Sequence, residues 1–121
     1  MPVRSLNSSV FRWPDQTQVD RAVRRWVESK AKQHPKLLRL GYFGSYARGD
    51  WGVGSDLDLV AVVKESGLPF EYRSARWNLD ALPVPSEVLV YTEQEWQRLH
   101  EKGGRFARTL DREAVWIYLA E

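Results

Sequence analysis

Apolar positions along this chain recur with two different periods, and the switches between them predict most of its elements. Between Asp15 and Pro35, Val19, Ala22, Val23, Trp26 and Val27 fall at helical spacing, with Arg21, Arg24, Arg25 and Glu28 on the other faces. Asp15 suits the N-cap and Gln18 stands three residues on, so a capping box opens a helix over 15–33. Pro35 ends it by disfavouring helical geometry at His34. Leu37 to Phe43 and Asp56 to Lys64 read as core strands. A turn at Gly44-Ser45, a short helix through Arg48 and a loop made permissive by Gly49, Gly52 and Gly54 connect them. The run Glu65 to Pro69 breaks the second strand, and the spacing of Phe70, Arg73-Ser74, Trp77 and Ala81 predicts a helix from Phe70 to Leu82. A short β-branched strand follows over Glu87 to Tyr91. Thr92 and Glu95 form a second capping box for a helix from Glu93 to about Lys102. Beyond Gly103-Gly104, Phe106, Ala107 and Leu110 point to a helix from Arg105 to about Asp111. Val115 to Leu119 reads as a terminal strand, with a helix as the alternative. Residues 1–13 have no clear period, although Val10, Phe11 and Trp13 could pack as an arm or short strand.

Composition narrows the class. A chain of 121 residues fits one domain, 1–121, with a single core. Its hydrophobic fraction of 43% and charged fraction of 28% are those of a soluble globular protein. No run is long enough to span a bilayer, and the N-terminus lacks the apolar core of a secretion signal. With zero cysteines there is neither a disulfide nor a thiolate zinc site, which agrees with a cytoplasmic home. Charge is uneven: residues 1–40 carry nine Lys or Arg against three acids, a net +6, and residues 41–121 carry nine against thirteen, a net −4. The basic third could attract a triphosphate or an acidic partner, or it could be a solvated helix face. It lacks the aromatic–basic interleaving that stacks bases, so a nucleic-acid-binding role is the weakest reading.

The candidate chemistry sits between the first two strands. Side chains alternate along a strand, so Asp56 and Asp58 point the same way while Leu57 and Leu59 enter the core. Two neighbouring carboxylates repel unless a cation lies between them, and Mg²⁺ is held by one or two carboxylates plus substrate phosphates. The Gly44-Ser45 turn opening a helix offers a place for a phosphate. A pair of metal ions can stabilise both the attacking and the leaving oxygen of a phosphoryl displacement, and needs more negative charge than two Asp side chains supply. Glu87, at the start of the next strong strand, is the best third carboxylate; the plainer reading is a surface residue on an edge strand. Arg48 could neutralise phosphate charge or pair with Asp50 or Asp56. Tyr46, Trp51 and Trp77 could stack on a base, although among six Trp a packing role is the default.

Gly44-Ser45, ten intervening residues and Asp56-Leu57-Asp58, with Arg48-Gly49 inside, resemble the signature of the minimal nucleotidyltransferases of the DNA polymerase β-like superfamily. The resemblance runs best over 37–118, and the helix at 15–33 sits where that family has its N-terminal helix. In many such proteins Glu-Gly precedes the last strand; here it is Glu113-Ala114. The resemblance implies an α/β (α+β) fold, a small mixed sheet with helices packed on one face and the acidic triad at its exposed end. It implies ATP as nucleotide donor and two Mg²⁺ ions. Asp56 and Asp58 would bind both metals, and Glu87 would hold the metal at the attacking hydroxyl and help remove its proton. Gly44 and Ser45 would take the phosphates with Arg48, and Ser55 would orient Asp56 or the loop. A chain this small lacks a second domain for the acceptor, so the acceptor is expected from another chain. The resemblance supplies a HEPN-domain toxin, on which such an antitoxin modifies a tyrosine. Two alternatives stand beside it: transfer to a small-molecule hydroxyl, such as an aminoglycoside, in a pocket completed by a homodimer, and an antitoxin that neutralises its partner by binding alone.

Overall fold

The computed structural model describes residues 12–120, so Val10 and Phe11 of the expected arm lie outside the described residues. In chain order the elements are α1 (Gln16–Gln33), β1 (Leu37–Phe43), α2 (Ser45–Arg48), β2 (Leu57–Val63), α3 (Phe70–Arg73), β3 (Ser86–Thr92), α4 (Glu93–Lys102), α5 (Arg105–Glu113) and β4 (Val115–Leu119). The strands form one mixed sheet in the order β3-β2-β1-β4. β1 runs antiparallel to both β2 and β4, whereas β2 and β3 are parallel. Both capping boxes form in full. The Asp15 side chain accepts from Gln18 N–H and Thr92 Oγ1 from Glu95 N–H, and the Gln18 and Glu95 side chains accept from the N–H of their caps. The terminal segment is a strand, which removes the helical alternative for 115–119.

Helix α1 lays Val19, Val23, Trp26 and Val27 on one face of the sheet, against Leu40, Tyr42, Leu57, Leu59, Ala61, Val88 and Val90. Tyr42 hydroxyl, on that face, donates to Asp20 of α1 at 2.7 Å. Val60 and Val62 point the other way and are equally buried, so the second face is apolar as well. It is covered by α4 and α5: Trp96 packs on Tyr91 and Trp116, and Phe106 meets Phe43 edge-on at 5.7 Å. The small mixed sheet is as expected. Helices, however, lie on both of its faces, because a run as uniformly apolar as Leu59 to Val63 leaves neither face fit for water.

The helix expected over Phe70 to Leu82 is a single turn of α-helix followed by a 3₁₀ turn, Ser74–Arg76. Tertiary contacts end it early. Trp77 is extended and stacks on His34 with ring centroids 4.0 Å apart. Trp26 Nε1 donates to the Asn78 carbonyl at 2.8 Å, and the Asn78 side chain accepts from Asp80 N–H in a local turn that competes with helix. Arg73 is nearly buried, donating to the carbonyls of Leu68 and Val90 and to both carboxylate oxygens of Glu95. His34 is therefore a cap and stacking residue at the end of α1, away from the carboxylates.

Candidate active site

Parallel pairing of β2 with β3 sets the site. Leu57 N–H donates to the Pro85 carbonyl at 2.9 Å, and from there the register runs Leu57 with Ser86 and Asp58 with Glu87. Adjacent strands lie about 4.8 Å apart, so these two carboxylates rise side by side from one face. Asp58 is half-buried and Glu87 exposed. Asp56 precedes the first residue of β2 rather than lying within the strand, and is exposed. The Asp58 carboxyl is pushed above the usual range, first by burial, then by the negative charges of Glu87 and Asp56. Arg48 opposes that shift and Glu113 adds to it. Such crowding is what a bound cation relieves.

Asp58 also faces Phe43, the last residue of β1, which brings the following turn against it. Gly44 has φ +81 and ψ −156, a region essentially restricted to glycine. A Cβ placed on it would overlap Asp58 Oδ2, so this position needs glycine on both counts. The helix that follows, α2, is anchored from below. Buried Tyr46 accepts from Trp13 Nε1 at 2.7 Å through its hydroxyl and from Gln16 Nε2 at 2.7 Å through its carbonyl. Its ring stacks on Trp51. Tyr46 and Trp77 are thus packing residues. Ser55 Oγ accepts from Gly52 N–H at 2.8 Å and so braces the loop leading to Asp56.

Arg48 donates from Nε to Asp50 at 3.0 Å and from Nη1 to Glu113 at 3.1 Å. Its partners are these two acids, not Asp56. Glu113 Oε1 also accepts from Gly44 N–H at 3.0 Å. In sequence Glu113 stands where the resemblance has the Glu of Glu-Gly, with no role attached to it. The available signal was that pattern, whose Glu is retained here although its Gly is Ala114.

Among the described residues, no three or more His, Cys, Asp and Glu side chains converge as a metal cage. The oxygen donors of Asp58, Glu87 and Asp56 suit a hard cation that completes its shell with water and substrate phosphate, as Mg²⁺ does. A cavity of about 560 Å³ lies elsewhere, lined by His34, Lys36, Val63, Arg73 and Trp77 among others. The carboxylates therefore stand at an open surface beside the turn, not in that cavity.

The nucleotidyltransferase domain family matches the chain over residues 23–111, which includes the turn, the Asp pair and Glu87. The chain belongs to this family. No curated protein matches it at a significant level. Among solved structures, this nucleotidyltransferase domain is similar to a putative nucleotidyltransferase from Sulfolobus solfataricus. That similarity has 23% identity and a TM-score of 0.62, and covers 86% of this chain and 83% of the other. It is also similar to a toxin–antitoxin protein solved with AMP-PNP, at 14% identity and a TM-score of 0.52, covering 81% of this chain and 74% of that one. At these identities the likenesses establish the fold of the nucleotidyltransferase domain. No helix among the described residues is long and apolar enough to cross a membrane.

Proposed function

We propose that this nucleotidyltransferase domain is of the minimal type and moves AMP from ATP onto a hydroxyl, with Asp56, Asp58 and Glu87 as its catalytic carboxylates. The observation that carries this reading is the register of Asp58 with Glu87, with Gly44 pressed against Asp58. In the reaction a bond forms between the acceptor oxygen and the α-phosphorus, the bond from that phosphorus to the bridging oxygen breaks, and pyrophosphate leaves. Mg²⁺ bound with the nucleotide would neutralise phosphate charge and stabilise the entering and leaving oxygens. Asp56 and Asp58 would hold the metal that comes with the nucleotide and so orient its phosphates. Glu87, an exposed carboxylate on the strand beside Asp58, faces the acceptor side and takes the hydroxyl proton. Ser45 presents its hydroxyl and N–H to the terminal phosphates.

The acceptor is a tyrosine on a helical HEPN-type toxin, for which this chain is the antitoxin. Support comes from the fold shared with a toxin–antitoxin protein solved with an ATP analogue and from the open surface on which the carboxylates stand. A macromolecular acceptor can reach such a surface directly. The test is incubation of the purified chain with α-labelled ATP, Mg²⁺ and the protein encoded beside it. Label is expected on a partner tyrosine with wild type and none with Asp58→Ala. An unlabelled partner with full protection by Asp58→Ala would replace catalysis by neutralisation through binding, and label on a low-mass hydroxyl compound would replace the protein acceptor.

A further inference from the structure

Glu113 has no place in the reaction as proposed, yet it bonds both to the backbone of the turn and to Arg48. One of its oxygens, Oε1, accepts from both Gly44 N–H at 3.0 Å and Arg48 Nη1 at 3.1 Å. Its side chain is only 9% exposed. It is the last residue of α5, an end at which the helix dipole disfavours a carboxylate, so stabilising its own helix does not explain it. Gly44 is confined from two sides, with Asp58 in the space a Cβ would need and Glu113 accepting from its N–H. Arg48 is likewise held twice, by Glu113 and by Asp50. With its N–H occupied in this way, Gly44 leaves Ser45 as the residue of the turn that addresses phosphate.

We infer that Glu113 is a positioning residue: from the end of α5 it fixes the Gly44-Ser45 turn and Arg48 at a set distance from Asp58, so that triphosphate and carboxylates meet in register. This rests on the nucleotidyl-transfer reading. A carboxamide can replace the carboxylate as acceptor for the Gly44 N–H, whereas alanine cannot. The role is one of hydrogen-bond geometry rather than of negative charge.

Two readings on the full chain test it. In the first, Mg²⁺–AMP-PNP and AMP are titrated calorimetrically into wild type, Glu113→Ala and Glu113→Gln, each checked as folded by circular dichroism. Glu113→Ala is expected to weaken AMP-PNP binding by about tenfold or more, to leave AMP binding unchanged, and to be rescued to within about threefold by Glu113→Gln. Equal AMP-PNP affinity of Glu113→Ala and wild type would overturn the inference. So would a Glu113→Gln variant that binds more tightly, since the carboxylate would then be a competing anion. In the second, amide exchange at Gly44 is followed without nucleotide. It is slow in wild type and Glu113→Gln and fast in Glu113→Ala; fast exchange in wild type would also overturn the inference. Slow exchange in a wild-type chain that binds no nucleotide would leave the strut intact and remove the functional reading instead.

Discussion

Asp58 and Glu87, separated by 28 intervening residues in sequence, are register partners across the parallel pair β2–β3. Parallel strands need a crossover, and here the whole segment from Lys64 to Pro85 serves to return the chain to the same end of the sheet. The carboxylates meet because the crossover closes at that register, with Leu57 N–H on the Pro85 carbonyl as its first rung.

Removing charge from this pair separates function from stability. Folding raises the Asp58 carboxyl pKa through burial and the neighbouring acids, so the ionised form is penalised in the folded state. That penalty grows as pH rises above the ordinary aspartate value and is complete at neutral pH. Asp58→Asn is therefore expected to melt at the same temperature as wild type or higher in metal-free buffer at pH 7, while transfer falls by at least about 100-fold. Thermal melts and a label-transfer assay on the same preparations check both halves.

Gly44→Ala acts on the other side of the site. The new methyl would overlap Asp58 and sit at a φ that disfavours any side chain. A loss of about 1–3 kcal/mol and of nucleotide binding is expected. Gly52→Ala, where an added Cβ meets nothing within 4 Å, is the control and leaves urea unfolding unchanged.

Glu95 supplies a pH dependence far from the chemistry. Hydrogen bonds from Arg73 hold its carboxyl below the ordinary glutamate value, outweighing burial. A lowered acid contributes stability that is fully present above its unfolded value and is lost as pH falls through the folded one. Wild type should thus lose stability on acidification below about pH 4.5, and Glu95→Gln should show a shallower fall over that window. At pH 7 Glu95→Ala leaves the nearly buried Arg73 guanidinium without its carboxylate and costs about 3 kcal/mol. Urea titrations at a series of pH values measure both.

Much of this architecture was legible from residues in sequence because its signals are local. Asp15 with Gln18 and Thr92 with Glu95 mark helix starts through bonds made within four residues, and both appear as read. The Gly44-Ser45 to Asp58 stretch was legible because the turn, the loop and the strand are contiguous. What escaped was set by partners distant in sequence. The helix over Phe70 to Leu82 had suitable spacing, but Trp26 takes the Asn78 carbonyl and His34 stacks on Trp77, contacts that no local window contains. Glu113 was visible as part of the pattern before the last strand, but its contact was not, being with a glycine 69 residues away. Helices on both faces were foreshadowed by Leu59 to Val63, whose unbroken apolar character leaves no polar side.

On the proposed function, Asp58 is expected to hold a divalent cation together with a triphosphate, with Asp56 and Glu87 beside it. Titration of Mn²⁺, a paramagnetic substitute for Mg²⁺, followed by electron paramagnetic resonance with and without AMP-PNP, tests it most directly. Wild type is expected to bind Mn²⁺ weakly alone and at least about tenfold more tightly with AMP-PNP, and Asp58→Asn to lose that gain. An Asp58→Asn variant that binds Mn²⁺ and AMP-PNP as wild type does would contradict the account.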